Sequence, residues 1–270
     1  MSSPQLTYYD LGEKVTAFST TRHGGCSIGN YAAFNINGYC GDERTHTVKN
    51  RHALATLLGI DDNSIIMPHQ VHGTEVRRID RPQQEVIEGV DAIMTDAPQL
   101  CIGVSTADCI PILLYDEAHH AVCAVHAGWR GTVQHIVSKA VQSMHDTYGT
   151  VSSQLKAAIG PGISLDSFEV GDEVWQQFAD AGFDMSAISH QYPTLHSIQD
   201  TNQAGGLKWH IDLPLCNRLQ LEQAGITTIL MSGICTYRQH TDYFSARRLG
   251  IHSGRIFTGI MIHNKSKTVV

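Results

Sequence analysis

The stretch from Cys101 to Thr132 constrains the fold of this chain more than any other part of the sequence. It contains three short apolar runs, each followed by polar or glycine-rich residues, at 101–104, 110–115 and 121–125. Runs of this length with such boundaries are typical of β-strands. We predict that the second and third runs pair as an antiparallel hairpin around a turn at 116–120.

This hairpin would bring two reactive side chains together. Cys109 begins the second strand and His126 follows the third, so antiparallel pairing places the thiol and the imidazole at one end of the hairpin. His72, followed by Gly73, is predicted to lie in a loop before a strand at 75–80 and can join them. Three such ligands leave a tetrahedral ion one open position, as in catalytic zinc sites.

Other interpretations of the same residues stay open at this point. A free cysteine is commonly buried in a core, and a chain with 16 histidines has many that lie on the surface. By composition alone, this simpler interpretation is favoured. Cys109 and His126 can also form a nucleophile and its base without any metal.

Composition excludes several classes of protein. With 42% hydrophobic and 17% charged residues, the chain resembles an ordinary globular enzyme, and its net charge of −7 argues against a nucleic-acid-binding surface. The seven cysteines contain no CxxC pair, which favours reduced thiols over a disulfide framework. The N-terminus lacks a signal-peptide pattern, and no apolar run has membrane-spanning length. We therefore expect a cytoplasmic protein that binds neither nucleic acid nor membrane.

The rest of the sequence alternates between strand and helix patterns. Further strands are predicted at 14–20, 75–80, 91–96, 155–160, 228–232 and 255–262. Helices are predicted at 45–58, 131–144, 168–178 and 212–224, the first ending at Gly59 and the last capped by Asp212. Residues 81–89 are expected to form an exposed link and 179–206 a surface loop. Without repeats or linkers, residues 1–270 are predicted to form one domain.

Four arginines are candidates for binding a phosphate group. Arg22 precedes a glycine-rich turn, Arg51 lies on the first predicted helix, and Arg247 and Arg248 follow a Phe-Ser pair. A guanidinium group matches the geometry of phosphate oxygens. The alternative is that these arginines are ordinary solvated side chains. A predicted helix start at Gly131 would also direct free N–H groups towards the suspected site.

Seven motifs together carry a resemblance to a known family. In chain order they are QVHG (70–73), DAIMTD (91–96), STADC (105–109), HAGWRG (126–131), IGPGI (159–163), FEVG (168–171) and FSARRLG (244–250). The sequence resembles the YfiH family, also called the polyphenol oxidase or laccase-domain family and, more recently, purine nucleoside phosphorylases. The resemblance extends from about residue 15 to residue 262.

The resemblance implies a fold, a metal and an activity. The expected fold is a single α/β domain with a central mixed β-sheet layer flanked by helices, distantly similar to cytotoxic necrotizing factor deamidases. The family's zinc ligands correspond to His72, Cys109 and His126, which would also be the catalytic residues. The implied substrates are purine nucleosides (adenosine, inosine and methylthioadenosine) with phosphate, and the implied second activity is adenosine deamination. The oligomeric state does not follow from the sequence.

Deamination, laccase chemistry and cysteine-dependent hydrolysis each require particular residues. Deamination needs a carboxylate near the attacking water, for which Asp108 and Glu169 are candidates. Copper-dependent laccase chemistry is disfavoured because the HxH pairs of a multicopper cluster are missing, and His119 and His120 are merely adjacent. A cysteine hydrolase or deamidase using Cys109 and His126 remains an alternative.

Overall fold

The computed structural model describes residues 2–82, 86–194 and 206–264. In chain order its strands are β1 (Leu6–Tyr9), β2 (Val15–Thr20), β3 (Ile65–Ile66), β4 (Val76–Arg78), β5 (Ala92–Thr95), β6 (Cys101–Thr106), β7 (Ile110–Asp116), β8 (Ala121–Ala127), β9 (Lys156–Ile159), β10 (Glu169–Val170), β11 (Ser189–Pro193), β12 (Leu207–Ile211), β13 (Thr228–Met231) and β14 (Ile256–Ile262). The α-helices are α1 (Arg44–Leu58), α2 (Trp129–Val133), α3 (Ile136–Tyr148), α4 (Asp172–Asp180), α5 (Met185–Ile188), α6 (Leu213–Gln223) and α7 (Ala246–Leu249).

The strands form three mixed or antiparallel sheets. The first has five strands in the order β1-β2-β14-β6-β3, and the second has six in the order β13-β9-β7-β8-β5-β4. A smaller sheet has the order β10-β12-β11. The predicted mixed α/β architecture is therefore confirmed, whereas the extent of one domain over residues 1–270 stays a prediction.

The two large sheets stack face to face between helices. On β7, Ile112 and Leu114 pack with α3 and α6, whereas the alternate residues Leu113 and Tyr115 pack against the five-stranded sheet. The opposite face of that sheet, with Phe18, packs on α1. Because β7 is buried on both faces, its sequence is an unbroken apolar run rather than an alternating one.

The predicted hairpin is confirmed and sets the position of the site. Strands β7 and β8 pair antiparallel, with Ile110 opposite Ala127 and Pro111 opposite His126. Cys109, immediately before β7, and His126, near the end of β8, therefore lie at the same end. Strand β5 pairs antiparallel with β8 and parallel with β4, so the loop before β4 reaches this end too.

Several other predicted elements agree with the structure. Helix α1 ends at Gly59, whose φ of 69° suits glycine, and the Asp212 carboxylate accepts a hydrogen bond of 2.9 Å from the amide of Leu215 at the start of α6. The predicted strands at 14–20, 75–80, 91–96, 155–160, 228–232 and 255–262 correspond to β2, β4, β5, β9, β13 and β14. None of the described helices is long and apolar enough to cross a membrane.

The prediction of one continuous helix at 131–144 is wrong, because the structure has two helices there. Helix α2 ends at Val133 and α3 begins at Ile136, because His135 adopts a left-handed φ of 59°. Its ring stacks on Phe183 at 5.5 Å between ring centroids. The carbonyl of Thr132 accepts a hydrogen bond of 2.9 Å from Gln220 of α6, so tertiary contacts support the break.

Two further predictions need correction. The helix predicted at 168–178 begins only at Asp172, because Glu169 and Val170 pair with β12 as β10. The segment predicted to be an irregular loop at 179–206 contains α5 and β11. Its residues 195–205, like residues 83–85 of the predicted link at 81–89, lie outside the described residues.

Candidate metal centre

His72, Cys109 and His126 converge at the end of the β7–β8 hairpin. One ligand atom from each lies within 4.8 Å of those of the other two, and within the described residues this is the one group of three side chains that can hold a metal ion. The two imidazole rings meet edge to face with centroids 4.8 Å apart. His126 is buried, whereas His72 is exposed, so the group faces the protein on one side and solvent on the other.

Asp91 is the residue that holds both histidines in place. One of its carboxylate oxygens accepts hydrogen bonds from Nδ1 of His126 at 2.8 Å and from the amide of His72 at 2.9 Å. The other oxygen accepts from the amides of Val71 and Gly73. Because Nδ1 of His126 is engaged, its Nε2 is available to a metal, an arrangement common in carboxylate–histidine–zinc sites. From the sequence, Asp91 was assigned only to a strand. Its position as the first residue of the DAIMTD motif could have indicated a role in the site.

The surroundings of Cys109 favour the thiolate form of its side chain. Burial alone would raise the pKa of Cys109, but the neighbouring His126 and His72 imidazoles outweigh it and lower the pKa to about 6. Burial alone would lower the pKa of His126, but the Cys109 thiolate and the Asp91 carboxylate raise it to about 9. A thiolate and two imidazoles are the nitrogen and sulfur donors that zinc binds, so these residues fit a metal site.

Gly128 provides the space in which the three side chains meet. A Cβ atom at this position would lie 2.8 Å from Cδ2 of His72 and 3.2 Å from Sγ of Cys109. The first distance is shorter than real Cβ contacts allow, so any larger residue would displace the His72 ring. This close approach explains the glycine in the HAGWRG motif.

We expect Gly128→Ala to weaken metal binding by about 10- to 100-fold, the range found when a group that orients a ligand is changed. The measurement is competition for zinc with a chromophoric chelator. Gly206→Ala is the control, because no atom of the described residues lies within 4 Å of a Cβ there. Equal zinc affinity in the two variants would contradict the steric role of Gly128.

Asp108 tethers the loop that carries Cys109. Its carboxylate oxygens accept hydrogen bonds from the hydroxyl of Thr236 at 2.7 Å and from the amide of Arg247 at 2.6 Å. Its φ of 86° is unusual for a residue with a side chain, and His72 has a φ of 61°. The two oxygens thus join this loop to the Thr236 side chain and to the backbone of Arg247. Glu169, the other carboxylate candidate, lies on β10 and its carbonyl accepts from the Arg247 side chain.

A cavity of about 310 Å³ opens beside the three ligands. Besides the ligands, its wall contains Asn37, Tyr39, Cys40, Pro68, His69, Gln70, Ser105, Thr106, Ala107, Ala246, Ile251 and Arg255. A larger cavity of about 480 Å³ lies near Cys235 and Asp212, and none of the three ligands belongs to its wall. Of these two cavities, the smaller is the one in which a substrate can meet the ligands.

The four predicted phosphate-binding arginines lie outside the wall of this cavity. Arg22 donates to the carbonyls of Ala32 and His240, and Arg51 to those of Asp62 and Ile65. Burial lowers the pKa of both guanidinium groups. Their roles in phosphate binding stay predictions.

Arg247 and Arg248 lie on α7, next to the cavity residue Ala246. Arg247 packs over the Phe168 ring and Arg248 over the Tyr237 ring. Arg255, which the sequence interpretation did not select, is the arginine in the wall of the cavity itself. Its position in the sequence, shortly after Arg247 and Arg248, could have indicated Arg255 as a further candidate for binding phosphate.

The mixed α/β fold carries three donors that can hold a metal ion, and they lie beside a cavity. This arrangement is typical of an enzyme with a metal centre, and comparison with known proteins identifies its family. The chain belongs to the YfiH family, whose model, described as multi-copper polyphenol oxidoreductase laccase, matches residues 16–263. The resemblance inferred from the seven motifs is thereby confirmed.

Relatives and solved structures extend this assignment. The chain is 43% identical over 259 residues to a purine nucleoside phosphorylase from Bacteroides thetaiotaomicron, covering 92% of each chain. It is 42% identical over 266 residues to adenosine deaminase RL5 from an unknown prokaryotic organism, covering 95% of this chain and 97% of the relative. The crystal structure of YfiH from Bacillus licheniformis matches with a TM-score of 0.86 at 25% identity, covering 96% and 97% of the two chains. The protein is an enzyme.

Proposed function

We propose that this enzyme is a zinc-dependent purine nucleoside phosphorylase with adenosine deaminase activity. The observation that carries the proposal is the convergence of His72, Cys109 and His126 on one side of a cavity large enough for a small molecule. The relatives named purine nucleoside phosphorylase and adenosine deaminase support the two reactions. The substrates would be adenosine, inosine and methylthioadenosine, and phosphorolysis would release the base and the sugar 1-phosphate.

Zinc fits the donor set better than copper in the proposed centre. Two imidazoles and a thiolate match its ligands and leave one position open, and bound zinc would supply Lewis-acid activation of water. A multicopper oxidase requires additional clusters of histidines, and the described residues contain a single group of three donors. We therefore keep copper as the less favoured metal.

The residues of the chain would position the reactants. Asp91 fixes the orientation of His126 and the loop of His72, and Asp108 fixes the backbone before Cys109. The cavity beside them would seat the nucleoside, because all three ligands belong to its wall. Holding phosphate near C1′ of the ribose converts a bimolecular displacement into a step within one complex, which lowers its barrier.

Phosphate would be held by an arginine of α7 or of the segment that follows it. Arg255 lies in the cavity wall, and Arg247 and Arg248 follow the wall residue Ala246 on α7. Three carbonyls of this segment, those of Ile251, Ser253 and Gly254, accept hydrogen bonds from the Arg255 guanidinium and fix its plane. A fixed guanidinium can bind two phosphate oxygens at once.

We expect Arg255→Ala to raise the KM for phosphate by about 10- to 100-fold, corresponding to loss of a charge-assisted hydrogen bond. Deamination uses water instead of phosphate and should change little. Arg247→Ala and Arg248→Ala are matched variants of the neighbouring arginines, and the phosphate dependence of each is measured in the same way. A larger effect of either variant than of Arg255→Ala would assign the phosphate to that arginine.

The experiment that tests the function is product analysis. The zinc-loaded protein is incubated with adenosine, inosine and methylthioadenosine, each with and without phosphate, and the products are separated by chromatography. We expect free base only with phosphate, and inosine from adenosine without it. If no free base forms in the phosphate samples while zinc is bound, phosphorolysis is wrong.

A cysteine hydrolase or deamidase is the second candidate. It is favoured by one observation, the lowered pKa of Cys109 next to the raised pKa of His126, which describes a thiolate–imidazolium pair. The two candidates differ in their need for metal. Protein stripped of metal that still turns over substrate, and that thiol alkylation inactivates, would favour the hydrolase.

A further inference from the structure

A second histidine in the wall of the cavity is held in a fixed orientation. His69 lies three residues before His72, and both belong to the lining of the same cavity. Nδ1 of His69 donates a hydrogen bond of 2.7 Å to the carboxylate of Glu88. The Tyr39 ring stacks on the imidazole, with centroids 4.3 Å apart and planes inclined by 20°. The imidazole is thus fixed at one edge and on one face.

The backbone around His69 is fixed as well. Its amide donates to the carbonyl of Ile87 at 2.9 Å, and its carbonyl accepts from the amide of Gly89 at 3.1 Å. Tyr39 is anchored through Asn37, which accepts from the Tyr39 amide and donates to the hydroxyl of Ser105 at the end of β6. These contacts leave Nε2 of His69 without a partner among the residues that the structure describes.

This arrangement supplies the group that phosphorolysis still lacks. A purine leaves its ribose as an anion unless a proton is added to the base. The Asp108 oxygens accept hydrogen bonds from the Thr236 hydroxyl and the Arg247 amide, so Asp108 is not free to donate a proton. The three ligands would be bound to the metal and are not free to donate one either. The hydrogen bond from Nδ1 to the Glu88 carboxylate orients the ring, so that Nε2 is the nitrogen from which His69 can pass a proton to a substrate in the cavity. Histidine is the commonest residue in this role.

We propose that His69 is the general acid that protonates the leaving purine, with Glu88 and Tyr39 as its positioning residues; the inference rests on the proposed phosphorylase function. In this step the bond between C1′ and N9 breaks and its electron pair remains on the purine. N7 of the purine takes the proton from Nε2 of His69, while a phosphate oxygen forms the new bond to C1′. The proton that hydrogen phosphate loses on forming the ester returns to His69, so charge and protons balance.

The test compares two nucleosides that differ in their need for a proton. Inosine requires protonation of its base, whereas 7-methylinosine carries a positive base that leaves as a neutral molecule. With zinc-loaded enzyme and phosphate, we expect His69→Gln to lower kcat/KM for inosine by about 10²- to 10⁴-fold, the usual contribution of a general acid. Activity on 7-methylinosine should be nearly unchanged. Glu88→Gln should show the same selectivity with a smaller loss.

Two controls separate this role from a structural one. His52→Gln removes another histidine bonded to a carboxylate, 3.0 Å from Asp62 and outside this cavity, and should leave both activities intact. Adenosine deamination without phosphate breaks no glycosidic bond and should survive in His69→Gln. Equal losses on inosine and 7-methylinosine, or no loss on either, would overturn the role of His69. Absence of free base from the wild-type enzyme with both nucleosides would instead reject the phosphorylase function, and the role of His69 with it.

Discussion

Replacement of Cys109 by alanine is expected to remove the proposed zinc from the enzyme and to abolish the two proposed activities. If the roughly 10–16 kcal/mol of zinc binding to four protein ligands is shared equally, loss of one ligand weakens binding by about 10²- to 10³-fold. Zinc per chain should therefore fall from one to near zero after dialysis against a weak chelator. The measurement is elemental analysis of the purified variant. Undiminished zinc in Cys109→Ala would show that the metal lies elsewhere.

The free thiol provides an independent check on the same residue. In metal-stripped wild-type protein, the pKa of Cys109 near 6 keeps the thiol ionised above that pH, although burial opposes ionisation. Alkylation by iodoacetamide should therefore rise through pH 6 and level off. Added zinc should protect it, because a metal-bound thiolate is a poor nucleophile. Burial raises the pKa of the free thiols Cys101, Cys123 and Cys216, so they should react little in the same range.

Asp91→Asn is expected to have the second large effect. The carboxylate of Asp91 accepts hydrogen bonds from His126 and from the amides of residues 71–73, whereas an asparagine amide has only one accepting oxygen. At least one of these N–H groups would lose its acceptor, and the cost is about 1–3 kcal/mol where the group is buried, as that of His126 is. We expect zinc affinity to fall by about 10- to 100-fold because His126 is no longer oriented.

Asp116→Asn is the matched control for this variant. Asp116 is also a buried carboxylate that binds a histidine, His119 at 2.8 Å, but it lies at the opposite end of the β7–β8 hairpin. Both variants should lower the thermal unfolding temperature, and only Asp91→Asn should lower zinc affinity. If the two variants bind zinc equally well, Asp91 serves only stability.

The sequence predicted the parts of the site that depend on local order along the chain. Cys109 and His126 could be brought together because they flank two runs that pair as neighbours, and the pairing of consecutive strands is the commonest topology. His72 came from further away, and the family resemblance strengthened its assignment. Its approach depends on the parallel pairing of β4 with β5, which no local pattern specifies.

The parts that sequence reasoning missed depend on contacts between distant segments. Asp91 looked like the first residue of a strand, because its hydrogen bonds to the His72 loop exist only after the sheet has formed. The break between α2 and α3 is supported by Phe183 and Gln220, which lie far along the chain. Arg255 lies in the cavity because β14 runs beside β6, whose end forms part of the same wall.

The hydrogen bonds of Asp91 also affect how the site moves. The His72 loop is exposed, and loops of this kind usually open independently of the core. Here, however, three consecutive amides of the loop end on a carboxylate that is buried and bonded to His126 in the central hairpin. Their exchange with solvent deuterium therefore requires that the loop release this buried carboxylate, which would leave its charge with fewer hydrogen bonds. We expect these three amides to exchange more slowly than those of an ordinary surface loop, because the same carboxylate holds both the loop and His126.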